Sequence, residues 1–584
     1  MRTVNADLTS AQQSATATPY LEITCTSRDR ATTRTYKTTD TPNRVISVRQ
    51  AEGRFNGHLA VEGSQFPVAM VIQLQDSDKT LNTLDYKGYR VDVGWGFRTV
   101  SGDRISEGPP SFVFEQESLS LEGALVVELR CISMWGLLRQ AWAKQTTTTR
   151  IEFAKDVEVR HILMELLGGR TMDAAILDDG GVFADHTADA KDPTDGADLG
   201  TADDVDMLPA TPAVNDAFYF GDTDHFETVS IDLTTAGVGT WTLTFEYWDG
   251  SAWSTLTVTD NTSGFTTGKL KTITFTKPTD WATTTVNSQG PFYYVRARVS
   301  AFTSVTTQPT ATKIVLHHDF SVSMDSSTAG QGDDDKPEYS SDFRQDAAET
   351  VQDVLANSLL VVRAEKDGFH FFHADASLTP IDYTYDNDGD HPFLSGTLRD
   401  AIVIPNKITF VNRFPGVTTG TGYSGSDTNT ASADAIGTVE EIIAAPDLVT
   451  SDAVATTLAE RTIKRLRRDR AQGFVIAPMS TNQEVWDIVR VADSRSGQTY
   501  DGRVSQVMRV YTDNIYQITL SLGDSPIRMV VPDSRRSFKD EPSIGIAPVE
   551  ELPELPDLLT EITLLPPILP ELPPPLFLVF FLDS

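Results

Sequence analysis

The chain has 584 residues, 40% of them apolar, with a formal net charge of −34; one core stops growing well below this length, so several soluble domains are expected. Duplex binding relies on Lys and Arg displacing counterions from phosphates, so this charge argues against DNA recognition. Only Cys25 and Cys131 occur, both in apolar alternating runs, which argues against a disulfide framework.

Residues 1–19 are polar, rich in Thr, Ala and Gln, and read as a flexible N-terminal arm with neither a secretory signal nor a membrane anchor. Residues 20–150 carry short β-prone runs between turn residues and predict a first all-β domain. Its clearest strand is 125–131, where Leu125, Val127, Leu129 and Cys131 share one face and Val126, Glu128 and Arg130 the other. A short helix follows, with Asp156 as its cap, Val159, Ile162, Leu163, Leu166 and Leu167 as its apolar stripe and Gly168 as its stop. From 178 to 215 the chain is Asp-, Gly-, Ala- and Thr-rich and reads as a solvated linker.

Alternating runs return at 218–316, with no helix between them, which predicts a β-sandwich. A polar stretch on either side, the second at 321–341, marks the sandwich as an insertion spanning 191–320 into a small α+β domain made of 151–190 and 321–400. That domain resumes with a helix bearing Ala348, Val351, Val354, Leu355 and Leu359, with Asp346 and Glu349 as a capping box. A hairpin joined at Asp367-Gly368 as a type I′ turn comes next. Residues 401–530 read as a second β domain; its one long helix, about 452–468, ends in Lys464, Arg465, Arg467, Arg468 and Arg470. These cations suit the helix macrodipole better than a nucleic-acid patch. Residues 531–584 form a Pro- and Leu-rich tail whose apolar end, too short to span a bilayer, reads as a docking segment.

Four stretches, 88–95 (GYRVDVGW), 121–138 (LEGALVVELRCISMWGLL), the helix-hairpin 347–372 and 516–524 (YQITLSLGD), resemble the hub family of tailed viruses. The resemblance covers about 20–178 and 341–524. It implies a mainly β fold with minor α: two β-barrel, tube-like domains, a small α+β domain and an inserted jelly-roll-like β-sandwich. It also implies a homotrimer that adapts a threefold tip to a sixfold tail tube and lines a DNA channel. The expected partners are a tail tube or distal tail protein and, through the C-terminal tail, a tape-measure or tip/spike protein. Viral DNA would pass without specific binding; an acidic lumen offers phosphate no sticking points. Asp is commoner than Glu and Arg commoner than Lys, which fits a protein working in high salt equally well.

Candidate sites are few. Trp241, Trp248, Trp253 and Tyr293 could stack on a host-surface glycan, although alternation alone sends half of such residues into a core. Asp386, Asp388 and Asp390 have the alternating spacing of a Ca2+ loop but lack the glutamate at its twelfth position. His370 and His373, three apart on a strand, fall on opposite faces and do not form a shared metal site. No nucleophile elbow, zinc helix, P-loop or dinucleotide glycine pattern occurs, so no catalytic residue and no other cofactor is expected. The competing readings are a virion adhesin working through the insert and a tail-associated glycan hydrolase, whose paired carboxylates spacing rules cannot reveal.

Overall fold

The structure of the chain is a computed structural model. It describes residues 1–523 apart from 15, 29, 55–67, 122, 141–151, 154–157, 168, 192–204, 318–319, 326–338, 341–346, 357, 375, 400–403, 413–421, 445–448, 450 and 513–514. Asp156, Gly168, Asp346 and the tail at 531–584 therefore lie outside the described residues. The fold is mainly β with few helices, and no described helix is long and apolar enough to cross a membrane.

A fourteen-stranded sheet organises the chain. Its path runs from Thr33–Lys37 through Thr18–Thr26, Arg90–Thr99, Ser111–Leu121, Ala124–Ser133, Met70–Gln75 and Val45–Gly53. It then crosses to Gln498–Thr512, Ile515–Leu522, Gln472–Pro478 and Ser395–Arg399, from the far end of the sequence. The crossing is the antiparallel pairing of Val45–Gly53 with Gln498–Thr512, in register from Val48 opposite Tyr511 to Gly53 opposite Gln506. The two β regions thus share a sheet and a core, to which Leu21, Ile72, Trp95, Val127 and Leu129 contribute from one side and Val475, Val491, Val507 and Leu520 from the other.

The alternation at 125–131 explains half of that packing. Val127, Leu129 and Cys131 enter the core, yet Glu128 on the opposite face is also buried. It accepts a hydrogen bond from Gln73 (2.9 Å), whose own carbonyl accepts from Ser47 (2.9 Å). A polar row thus crosses three paired strands with its groups satisfied, the condition for burying them at tolerable cost.

The small α+β domain packs the helices Met134–Gln140, Val159–Leu166 and Ala347–Ala356 on the sheet Ser321–Met324, Gly368–His373, Leu360–Ala364. Its hairpin differs from the predicted type I′ turn. Gly368 is not among the positive-φ residues, and its role is a close approach instead: a Cβ there would sit 2.0 Å from the Ser321 carbonyl oxygen of the parallel partner strand.

Three boundaries differ from the sequence reading. The sandwich takes in Gly169–Thr171, Ala174–Asp179 and Val182–Asp185, so it begins before 191. Their Asp- and Gly-rich stretch is a hairpin whose Gly180 and Gly181 adopt positive φ. The region 401–530 is not one β domain either. Lys407–Val411, Ser424–Thr428 and Glu440–Ala444 form a separate three-stranded sheet under the helix Asp452–Arg468, with a core of Ile408, Phe410, Leu458 and Ile463. Conversely Tyr383–Asp386 and Ser395–Arg399, read as α+β, join the principal sheet. Which sheet a strand joins depends on partners distant in sequence, which local pattern does not record.

The N-terminus differs as well. Residues 1–12, read as part of a flexible arm, are docked: Asn5 caps the helix Ala6–Gln12 by accepting from the Asp7 N–H (2.8 Å), and Leu8 is wholly buried.

Candidate functional site

The N-terminal segment closes over a loop that the sequence presents as an ordinary polar connection. Every residue from Ser480 to Asp487 (STNQEVWD) is buried, unusual for a connection because its polar groups must then find partners inside the protein. They do so from the N-terminal segment, the principal sheet and the α+β domain. The Arg2 N–H donates to the Asn482 carbonyl (3.0 Å) and its guanidinium to Glu484 (3.0 Å). Gln12 bonds Thr481 and Asn482, and Tyr385 donates to Gln483 (3.1 Å). Arg363 of the α+β domain lies 3.4 Å from Glu484. Arg509, 1% exposed, joins Glu52 across the β seam and donates to the Gln483 carbonyl.

Trp486 is the centre of this joint. Its φ of 78° is rare for a bulky residue and persists only where the surroundings over-determine it. Its backbone N–H bonds Val504 (2.8 Å) and its indole N–H bonds Val362 (2.9 Å). The guanidiniums of Arg54 and Arg468 lie 3.9 and 4.8 Å from its ring centroid, and both bind Asp469. Both β regions, the α+β domain and the three-stranded unit therefore meet on one side chain.

Asp487 closes the loop, with the Met1 amino group 2.5 Å away. Burial pushes its carboxyl up to about 6, against the pull of that amino group. A raised carboxyl stabilises the fold in its protonated form, so the contribution is complete below 3.8 and is lost as pH rises to about 6. Asp487→Asn is therefore expected to remove a fall in urea midpoint across this window; a difference between variant and parent that does not change with pH would refute the assignment.

The insert is fastened to the α+β domain by a second buried cluster. Asp232 of the insert accepts from Arg160 Nε and pairs with His161 Nε2, both at 2.6 Å and all three buried. Burial alone would raise the Asp232 carboxyl, but the His161 hydrogen bond and the Arg160 charge hold it well below the usual carboxylate range. Glu158, His161 and Asp232 bring ligand atoms within 4.8 Å of one another. Arg160, however, pairs with both carboxylates, so the cluster serves as an ion lock and not as a cation cradle. Ser230 and Lys271 add hydrogen bonds to the carbonyls of Val322 and Met324, each 3.0 Å.

The four glycan candidates do not share a surface. Tyr293 packs toward the sandwich interior, its ring 3.8 Å from that of His225. Trp241 donates to the Gly264 carbonyl (2.8 Å) and lies against Gly237 and Gly239. Trp248 and Trp253 are cross-strand partners on the outer face, 5.6 Å apart and inclined at 65°. Arg296 lies 4.3 Å over Trp253 and shares Glu246 with Arg298. Alternation separates these residues, as it does Tyr293 and Tyr294.

Asp386, Asp388 and Asp390 are not among the described groups whose ligand atoms converge. Asp386 accepts from the Asp388 N–H (3.0 Å) and Asp388 engages Ser494, so these carboxylates hold a turn against the neighbouring loop. His370 bonds Ser323 (2.9 Å) and faces Asp325 (3.3 Å).

Tail proteins, and PdpA-VgrG complexes from Francisella, are among the solved structures to which this chain is similar. A tail protein from Neisseria meningitidis MC58 is matched with 8% identity and a TM-score of 0.39, over 86% of this chain and 96% of that one. The 43 kDa tail protein of prophage MuSo2 from Shewanella oneidensis is matched with 10% identity and a TM-score of 0.36, over 86% and 98%. A prophage tail protein from Listeria monocytogenes EGD-e is matched with 8% identity and a TM-score of 0.38, over 86% and 94%. No family model matches the chain, and no curated protein does.

Sequence reasoning missed the buried joint altogether. Loop 480–487 has the composition of a surface turn, and the one signal against that reading was a tryptophan flanked by carboxylates in a polar run. Leu8 was a similar signal within residues 1–19, since a single apolar residue on a capped turn suffices to dock it.

Proposed function

We propose that the chain is a structural, non-enzymatic hub at the distal end of a viral tail. Three copies would form a ring that continues the tail tube, adapts a threefold tip to its sixfold symmetry and lets DNA pass. The observation that carries this reading is the pairing of Val45–Gly53 with Gln498–Thr512, which sets two β regions side by side in one chain. Three copies then present six such regions around an axis. Buried ion pairs across the joint suit a part that must keep its geometry under load, and a net charge of −34 suits a channel wall that must not retain phosphate. On this reading the insert, fastened through Asp232, is a fixed projection whose outer face with Trp248 and Trp253 meets a neighbouring tail protein or host-surface glycan. The 531–584 tail meets a tape-measure or tip protein.

The test is the mass of the purified protein at high and low salt, with immunogold labelling of intact particles. A trimer and label at the tail end are expected. A monomer whose label lies away from the tail would sink the hub reading and favour an adhesin.

A further inference from the structure

The three-stranded unit within 404–468 leaves apolar side chains uncovered among the described residues. Its helix Thr430–Ile436 has no buried residue, and Ile436 and Ile442 are 53% and 65% exposed. A seven-residue helix that buries no side chain gains little from packing and is marginal in water by itself.

The long helix of the same unit carries a second anomaly. Its apolar side, with Ala455, Leu458, Ala459 and Ile463, packs on the unit's core, and Arg468 turns inward to Asp469. Lys464, Arg467 and Arg470 are exposed, and none of them has an ion-pair partner among the described residues. Many other cations of the chain are matched, as in Arg44 with Asp78, Arg130 with Glu115 and Glu117, and Arg490 with Asp501, and those without an ion pair among the described residues, such as Lys79 and Lys277, stand singly. With 82 acidic residues to 48 Lys and Arg, carboxylates are in surplus, so an unmatched row of three is a departure. The helix dipole favours cations in the last turn, which accounts for Arg467 but not for Arg470, beyond the helix end. Like charges three apart repel, so the row costs stability until it meets an anion.

We propose that this unit is a contact face between copies of the chain, with Lys464, Arg467 and Arg470 seated on a carboxylate-rich surface of the neighbouring copy. Charge complementarity selects that occupant: copies that each carry −34 repel at long range, and an interface between them needs a local row of opposite sign. Ile436 and Ile442 on the same unit favour a protein over DNA, whose phosphates offer them nothing. The inference rests on the trimeric reading above and names where its subunits touch.

The experiment is sedimentation velocity on the full chain beside the triple variant Lys464→Glu, Arg467→Glu, Arg470→Glu, at low and high salt, with a duplex-DNA mobility shift on both. Expected are a trimeric parent, a variant whose trimer dissociation constant rises about a hundredfold, an unchanged circular-dichroism spectrum because all three side chains are exposed, and no DNA shift. A variant that remains trimeric beside a trimeric parent overturns this inference and leaves the hub reading intact. A monomeric parent overturns this inference, and together with label away from the tail it overturns the hub reading as well. DNA binding by the parent that the variant loses overturns the protein-contact assignment and makes the row a nucleic-acid patch.

Discussion

Arg509→Met is expected to cost about 3–5 kcal/mol of folding stability, the loss that follows removal of one partner from a buried ion pair. Arg509 is 1% exposed and belongs to the C-terminal β region, while its partner Glu52 belongs to the N-terminal one. Methionine fills much of the volume but leaves Glu52 charged and the Gln483 carbonyl without its donor. Arg2, 3.6 Å from Glu52, offsets part of the loss. Adding Glu52→Met should recover a substantial share, because the cost lies in the unpaired charge more than in the missing attraction. Urea unfolding of the two variants and the parent measures this. A loss below about 1 kcal/mol for Arg509→Met would mean that strand hydrogen bonds alone hold the seam.

Trp486→Ala should cost a similar amount, about 3–5 kcal/mol, from lost burial and the cavity left behind. Four parts of the chain pack on this ring, so the loss should appear as an early loosening between them, detectable as hydrogen exchange in 360–364 and 480–487. The backbone supplies a sharper comparison. At a φ of 78° alanine is strained and glycine is not, so Trp486→Gly is expected to be more stable than Trp486→Ala by about 1 kcal/mol, the reverse of their usual order. Equal or inverted stabilities would show that the left-handed conformation is imposed by the indole and relaxes once it is gone.

The strands were the most legible part of the fold. Leu125 to Cys131 alternates because one face meets a core, and the pattern survives without knowledge of what the core contains. The stripe from Val159 to Leu166 is legible for the same reason, and the buried contacts of Ile162 and Leu163 follow it. The aromatic residues of the insert were only half legible. The period of two shows that Tyr293 and Tyr294 diverge, but not which of the two faces the other sheet.

Site-level features were less accessible still. Asp386, Asp388 and Asp390 have the spacing of a cation loop, and what the sequence does not show is the contact of Asp388 with Ser494, from a strand-end loop more than a hundred positions away. Gly368 signalled a turn by its neighbour Asp367, while its actual constraint is the Ser321 backbone beside it.

By itself the sequence determined what short-range periodicity and composition can determine: a mainly β chain, an inserted sandwich, an acidic surface and an amphipathic helix ending in cations. Tertiary structure alone decided that the two β regions share one sheet, that residues 1–12 lock a buried loop, and that Arg2, Glu52, Arg363, Glu484 and Arg509 form one network. The reason is physical. Periodicity reports which side of an element avoids water, whereas pairing of strands and matching of buried charges depend on energies between residues hundreds of positions apart, and such energies leave no local pattern.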